Sequence, residues 1–326
     1  MRFRIEASSP TGFVILSATL GFASPSAAQG PVADTPAAVA IIAPAFLSID
    51  EYLDSGGIKL ANGKTADPDD WRAIAIWRTT GKACTAALIG RQVVLTSAHC
   101  LDASPGAPLP VLAEGATARF DGRNYPLTEC KMHPDYEAAG SNGNYPRSGR
   151  DYALCKTKYP VQNVAFENVT QNMLQGGRVV LMGFGCYELN IVNGKLKPKW
   201  DPDEKPQLRL GDQTIESAAQ ALQNSGATLS RTVSRNSSQP NLCPGDSGGP
   251  VLTGITGNAP KKGRRISGLN SAFYGDWGIN VANPIFYSYL APTGSSFFGW
   301  AREWADKRGL FICGIQRNPG LDGCRD

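Results

Sequence analysis

Between residues 73 and 273 the apolar residues come in short runs: 73–77, 86–89, 92–98, 178–185 and 264–273. Gly, Pro, Asn and Asp separate many of them. Many short strands punctuated by turn residues imply an antiparallel sandwich or barrel, because each strand can bury one face only against a second layer. Helical spacing is clearest over Ser296–Arg308, where Phe297, Trp300, Ala301 and Trp304 recur at intervals of three, one and three. Thirty-six glycines and 23 prolines in 326 residues exclude a long-helix or coiled-coil protein. A hydrophobic content of 42% excludes wholesale disorder.

The N-terminus has the form of a secretory signal. Arg2 and Arg4 precede an apolar stretch, Phe13–Ala23, and small residues Ser26, Ala27 and Ala28 place cleavage most simply between Ala28 and Gln29. The stretch is shorter than the roughly 20 residues a membrane span needs. The organisation expected is therefore a signal peptide at 1–28, a pro-segment or linker at 29–59, a main domain at 60–312 and a tail at 313–326. Two further stretches read as exposed loops, residues 137–150 and the charged, proline-bearing Tyr187–Pro206. Eight cysteines in an exported chain fit four disulfides, with 105 pairings open to spacing alone. A formal net charge of +4, with no Lys/Arg run beyond two, is no nucleic-acid footprint. The chain is expected to be extracellular or periplasmic, with no membrane attachment once the signal is removed.

Only two histidines occur, His99 and His133, which rules out a metal site built on three. Their scarcity also narrows the choice of a catalytic base. In Gly245-Asp246-Ser247-Gly248-Gly249 the glycines let the backbone turn sharply and leave a serine hydroxyl exposed. The pattern satisfies the nucleophile elbow of α/β-hydrolases, but that fold needs a histidine after the serine, and none lies beyond residue 133. A serine hydroxyl needs a base to become a nucleophile. His99 ends an apolar run beside Cys100, which could hold the backbone that aims the imidazole. His133 lies in a turn, His133-Pro134-Asp135-Tyr136, and reads as structural. The carboxylate that orients the base is expected at Asp151, with Asp135 as competitor.

The segments Leu95–Cys100, Asp151–Leu154 and Cys243–Pro250 together resemble the chymotrypsin/trypsin-like serine proteases, in that family's His, Asp, Ser order and over about residues 60 to 312. The resemblance implies an all-β fold, two six-stranded antiparallel β-barrels with a C-terminal helix and the site in the cleft between them. It implies His99 as general base, Asp151 as its orienting acid and Ser247 as nucleophile. The backbone N–H groups of Gly245 and Ser247 would form the oxyanion hole. No metal or cofactor is implied. Asp246 would receive the ammonium of a new N-terminus released by an activating protease. Cleavage after Lys59 would expose Leu60, where the family usually has Ile or Val; cleavage before Ile58 is the competing choice. Asn241 falls at the base of the specificity pocket, where trypsin-like members carry Asp, so no strong Arg/Lys preference is expected. Ser271, Ala272 and Phe273 would bind an extended substrate by strand addition. Asp276 is either a second pocket acid or, more simply, an exposed turn residue. The resemblance supports Cys84–Cys100; Cys130–Cys155, Cys186–Cys243 and Cys313–Cys324 are taken for the rest.

The function so implied is a secreted serine endopeptidase made as a zymogen and acting on proteins or peptides. The rival is a catalytically silent homologue that binds without cutting. An esterase or lipase is disfavoured by chain order.

Overall fold

The computed structural model describes residues 46–47, 64–79, 82–101, 116–136, 149–171, 173, 175–192, 195–201, 206–221, 228–236, 239–255, 263–276, 284–316 and 323–325. The signal sequence, both candidate activation points and most of the 137–150 loop lie outside them. In chain order the strands are β1 (Phe46–Leu47), β2 (Lys64–Ala66), β3 (Ile74–Thr79), β4 (Lys82–Gly90), β5 (Val93–Thr96), β6 (Thr117–Phe120), β7 (Arg123–Met132), β8 (Ala153–Thr157) and β9 (Asn168–Val169). They continue with β10 (Arg178–Gly183), β11 (Glu188–Val192), β12 (Lys195–Lys199), β13 (Arg209–Thr214), β14 (Ser217–Ala221), β15 (Thr228–Ser234), β16 (Pro250–Thr253), β17 (Arg265–Asp276) and β18 (Ile285–Pro292). One α-helix follows, α1 (Ser295–Asp306).

Strands β3-β4-β5-β8-β7-β6 close into a barrel. The second half is a ten-stranded sheet, β1-β2-β13-β10-β16-β17-β18-β15-β14 with β9 beside β17, and forms a half-barrel rather than a second closed ring among the described residues. The architecture is the chymotrypsin-like all-β one. The half-barrel replaces the second six-stranded barrel expected, and two further features depart from the sequence reading. The stretch expected as an exposed loop, 187–206, contains the β11–β12 hairpin, a two-stranded sheet of its own. Pro198 is tolerated there because it sits in no central strand. The segment preceding the expected cleavage points contributes β1, which pairs in parallel with β2, Phe46 opposite Thr65.

The alternation expected of half-buried strands gives way to continuous burial in β5, all four residues of which are buried. Its one face packs with Ile74, Ala87, Ile89 and Leu154, the other with Trp77, Ala86, Leu88 and Phe120. α1 buries Phe297, Ala301, Trp304 and Ala305, the i, i+4, i+7, i+8 stripe of an amphipathic helix. That stripe meets Tyr152, whose ring lies edge-on to Phe297 at 5.0 Å. The helix thus braces the residue next to Asp151. The structure pairs Cys84 with Cys100, Cys130 with Cys155, Cys186 with Cys243 and Cys313 with Cys324. The last bond returns the tail to the core. There Arg325 and Arg264 share the fully buried carboxylate of Glu167, and the Arg264 guanidinium stacks over Trp71 at 3.8 Å.

Candidate active site

His99 lies in a single 3-10 turn, Ala98–Cys100, at the end of β5. The turn is held from two sides. The Ser97 hydroxyl donates to the carbonyl of Asn270 at 2.9 Å, and the disulfide ties Cys100 back to β4. Asp151 precedes β8, which pairs with β5, so sheet register brings carboxylate and imidazole together across 52 residues of sequence. Its Oδ2 is 2.7 Å from Nδ1 of His99, and its Oδ1 accepts the His99 main-chain N–H at 2.9 Å. The Ser271 hydroxyl donates to Oδ2 at 2.5 Å. Burial works against the charge of Asp151. The facing His99, the Ser271 hydroxyl and the His99 N–H together outweigh it and hold the carboxyl below its ordinary range. Asp135, the competing carboxylate, instead pairs with Arg150 at the surface.

Ser247 comes from the other half of the molecule, yet its main chain is stitched to the His99 region. The N–H of Thr85 donates to the Ser247 carbonyl at 2.8 Å, and the Thr85 hydroxyl donates to the Gly245 carbonyl at 2.9 Å. On the far side of the turn the N–H of Gly248 donates to Asn270 O at 2.8 Å and Asn270 N–H to Gly249 O at 2.9 Å. The Asn270 amide adds bonds to Met182 O and Asp246 O. Two glycines are required by space as well as by backbone. Gly248 has φ +78°, and a β-carbon there would lie 2.2 Å from the Thr96 hydroxyl. Gly245 has φ +98°, and a β-carbon would lie 2.8 Å from the Cα of Gly185 and 3.0 Å from Cζ3 of Trp200. Among the described residues no protein acceptor takes the N–H of Gly245 or of Ser247.

Asp246 points away from this face, into the second sheet. It is buried, and its oxygens accept the N–H groups of Gly185 at 2.8 Å and Cys243 at 2.9 Å. Burial pushes its carboxyl up to about 7, against the pull of those two N–H groups and of Arg209.

The sequence-derived pocket residues are found together. Asn241 is buried, its amide donating to the neighbouring Leu242 carbonyl, and the Leu242 N–H donates to the Ser288 hydroxyl. Ala272 and Phe273 of β17 pair with Tyr289 and Ser288 of β18. From Ser271 to Asp276 the other edge of β17 has no strand partner among the described residues. Asp276 is exposed, and it ends β17 opposite Ile285 of β18 rather than lying in a turn. His133 is buried between rings of Tyr152 and Trp300. Its Nδ1 accepts the Asp135 N–H at 3.2 Å and its Nε2 faces the Ser296 hydroxyl at 3.0 Å, while burial first and Arg150 second lower its pKa. The one group of potential metal ligands among the described residues is Cys84, His99 and Cys100, and both sulfurs are committed to a disulfide.

Sequence reasoning missed Thr85, Asn270, Ser288 and Trp200. Asn270 carried a readable signal, an amide closing the apolar run from Ile266. Thr85 and Ser288 carried none, since each acts through partners more than 40 residues away.

A closed β-barrel beside a β half-barrel, with a bonded histidine–aspartate pair in the first and a glycine-bounded serine turn in the second, is the architecture of the trypsin-like fold. The family model for trypsin matches residues 60–292, and the chain belongs to that family. It is 28% identical over 199 residues to Melanization protease 1 of Drosophila melanogaster, covering 53% of this chain and 47% of that protein. It is 24% identical over 229 residues to Ovochymase of Halocynthia roretzi, covering 66% of this chain and 14% of that protein. The chain therefore spans less than half the length of these relatives. Among solved structures it is similar to neuropsin, a serine protease expressed in the limbic system of mouse brain, with TM-score 0.49, 16% identity, and coverage of 74% of this chain and 98% of that one. Among the described residues no helix is long and apolar enough to cross a membrane.

Proposed function

We propose that the protein is a secreted serine endopeptidase, made as a zymogen, that cuts peptide bonds through an acyl-enzyme. The observation that carries the reading is the buried Asp151 carboxylate bonded to both the ring and the main chain of His99, with the Ser247 turn bonded to Thr85 of β4, next to the disulfide that ends at Cys100. In this reading Ser247 Oγ attacks the scissile carbonyl carbon while His99 takes its proton. Asp151 holds the Nδ1–H tautomer and stabilises the imidazolium. The unpartnered N–H groups of Gly245 and Ser247 receive the oxyanion, each such donor being worth about 3 kcal/mol in the transition state. His99 then protonates the departing amine, and water repeats the cycle on the ester. The acyl half of the substrate adds as a strand to the free edge of β17 at Ser271–Phe273. The Asn241 amide at the pocket floor offers no fixed negative charge for Arg or Lys.

Zymogen status is supported by Asp246, a buried carboxyl whose oxygens accept two N–H groups and, among the described residues, enter no ion pair. A new N-terminus at Leu60 or Ile58 would supply the missing cation, and a cut there lies between β1 and β2, which pair side by side.

The test is fluorophosphonate labelling of secreted protein with N-terminal sequencing, before and after limited trypsin treatment, for the unmodified chain and Ser247→Ala. Ser247-dependent labelling that appears with a chain starting at Leu60 or Ile58 is the expected result. Labelling without cleavage would remove the zymogen step, and labelling in no form would leave a silent homologue. Cleavage of a denatured protein separates an endopeptidase from an esterase.

A further inference from the structure

A pocket of about 420 Å³ lies where the first barrel meets the second sheet. Its apolar wall includes Ile76 of β3, Phe184 and Leu208. Four charged side chains also line it, and they are unequally committed. Arg72 is paired with Asp69 at 2.7 Å and with Asp121 at 3.7 Å. Arg119 is exposed and enters no ion pair among the described residues; its Nε donates to the Gly122 carbonyl at 3.4 Å. The pocket therefore offers apolar surface and one uncommitted cation, which suits an apolar group with a carboxylate beside it. It adjoins the serine turn. The Phe184 N–H donates at 3.0 Å to the Thr85 hydroxyl, the same hydroxyl that holds the Gly245 carbonyl.

One stretch of the chain has both the chemistry and the tether to fill it. β1 runs parallel to β2, with Leu47 beside Ala66. The chain leaving β1 is therefore directed toward the end of β2 that continues into Pro68, Asp69 and Arg72, all of which line the pocket. The residues that follow β1 are Ser48-Ile49-Asp50-Glu51-Tyr52-Leu53-Asp54, then Ser55-Gly56-Gly57. Ser48 with Glu51 three residues on is the sequence pattern of a capping box, and Ile49, Tyr52 and Leu53 recur at helical spacing. Such a turn has one apolar face, and Asp50, Glu51 and Asp54 flank it. Ser55-Gly56-Gly57 supplies turn residues for a reversal toward Lys64, and residues 55–63, extended, span up to about 30 Å. Both candidate cleavage points, before Ile58 and after Lys59, fall within 55–63, so a cut at either leaves residues 48–57 continuous with β1. The first cysteine is Cys84 and all eight are bonded to one another, so no disulfide would hold the released piece.

We propose that residues 48–54 seat an apolar face in this pocket, Ile49, Tyr52 and Leu53 against Ile76, Phe184 and Leu208 with an acidic side chain on Arg119, and that after cleavage the pro-segment stays on the domain as a second, non-covalent chain. The occupant is a segment of the same chain because β1 fixes its start beside the pocket wall. A tether this short gives an effective concentration on the order of millimolar, so a small apolar face suffices. Retention after cleavage rests on the zymogen reading; the seating itself is tested in the uncut chain.

In full-length Ser247→Ala, Tyr52 would be replaced by the photoreactive p-benzoylphenylalanine, and the irradiated protein digested and its cross-links mapped. Links from residue 52 to the peptides carrying Ile76, Phe184 or Leu208 of the same chain are expected. Leu53→Asp, at a residue of neither the barrel nor the second sheet, should lower their yield about 5-fold or more. Arg119→Gln should lower it about two- to five-fold, as one exposed ion pair allows. Links to a second copy, seen as covalent dimers, links elsewhere on the domain, or no links would overturn the seating, as would a yield indifferent to Leu53→Asp. A yield unchanged in Arg119→Gln would overturn the carboxylate contact. After limited trypsin treatment the fragment ending at Lys59 should co-elute with the domain in gel filtration, and should separate from it in Leu53→Asp. A fragment that leaves the domain without that substitution would overturn the retained chain. Failure to cut near Lys59 would count against the zymogen reading instead, and the cross-links would still decide the seating.

Discussion

Asp246→Asn is the substitution whose consequence can be worked furthest. The carboxylate is 2% exposed and wedged against two glycines; a β-carbon on Gly183 or Gly185 would lie within 2.5 Å of its Oδ1. Burial raises its pKa from 3.8 to about 7. A carboxyl with a raised folded-state pKa stabilises the fold below its unfolded pKa, where both states hold the proton. It loses that contribution as pH rises through the folded value, because the unfolded chain releases the proton first. A gap of about three pH units corresponds to roughly 4 kcal/mol lost between about pH 4 and pH 8. Asparagine removes the titration. Its amide oxygen can accept one of the two N–H groups of Gly185 and Cys243, but its NH2 must face the other, leaving a buried donor unmet at about 1–3 kcal/mol. The uncleaved variant should therefore be the less stable protein near pH 4 and the equal or more stable one near pH 8. Denaturant unfolding of both full-length chains in a Ser247→Ala background, disulfides intact, would give the difference in stability at each pH. In the cleaved form, an ammonium at Asp246 should abolish the crossover and make Asn the worse residue at neutral pH. A difference that stays flat with pH in the uncleaved chain would refute the reasoning, since it would mean that Asp246 already has a counter-charge before cleavage.

Ser271→Ala removes the hydroxyl that donates to Asp151 Oδ2, so the carboxyl should rise toward its ordinary range and hold His99 less firmly. A hydrogen bond to a charged group of this kind is worth about 1.5–3 kcal/mol, so kcat should fall about 10-fold or more with KM little changed; unaltered kcat would show that His99 is oriented without it. Glu167→Gln leaves Arg264 and Arg325 sharing a neutral amide in the core and should cost about 3–5 kcal/mol in denaturant unfolding. A loss below about 1 kcal/mol would mean that the cations are compensated elsewhere.

The short-run pattern and its turn residues determined that the chain is all-β. The lone amphipathic stripe determined one helix, found at Ser295–Asp306 against the expected Ser296–Arg308. Local periodicity suffices there because burial on one face is a local property of spacing. His99, Asp151 and Ser247 were legible as types because each sits in a segment whose residues are tightly specified: a helix-like turn beside a disulfide, a strand start and a glycine-bounded bend. Their company was not legible. Thr85, Asn270 and Ser271 bind the site through contacts such as Thr85 to Gly245, Asn270 to Ser97 and Ser271 to Asp151, which span 120 to 173 residues, and sequence order carries no record of which polar group meets which partner. The charged stretch after Tyr187 shows the same limit from the other side. Three prolines and six charges indicated exposure, which the lysines of β12 have, but pairing of β11 with β12 depends on register. The placement of Trp200 over Gly245 depends on a disulfide that joins residues 57 apart. Composition and spacing decide which residues go inside and which can react; only closure of the barrel and the crossing between halves decides which of them face one another, because those distances are set by packing rather than by the chain.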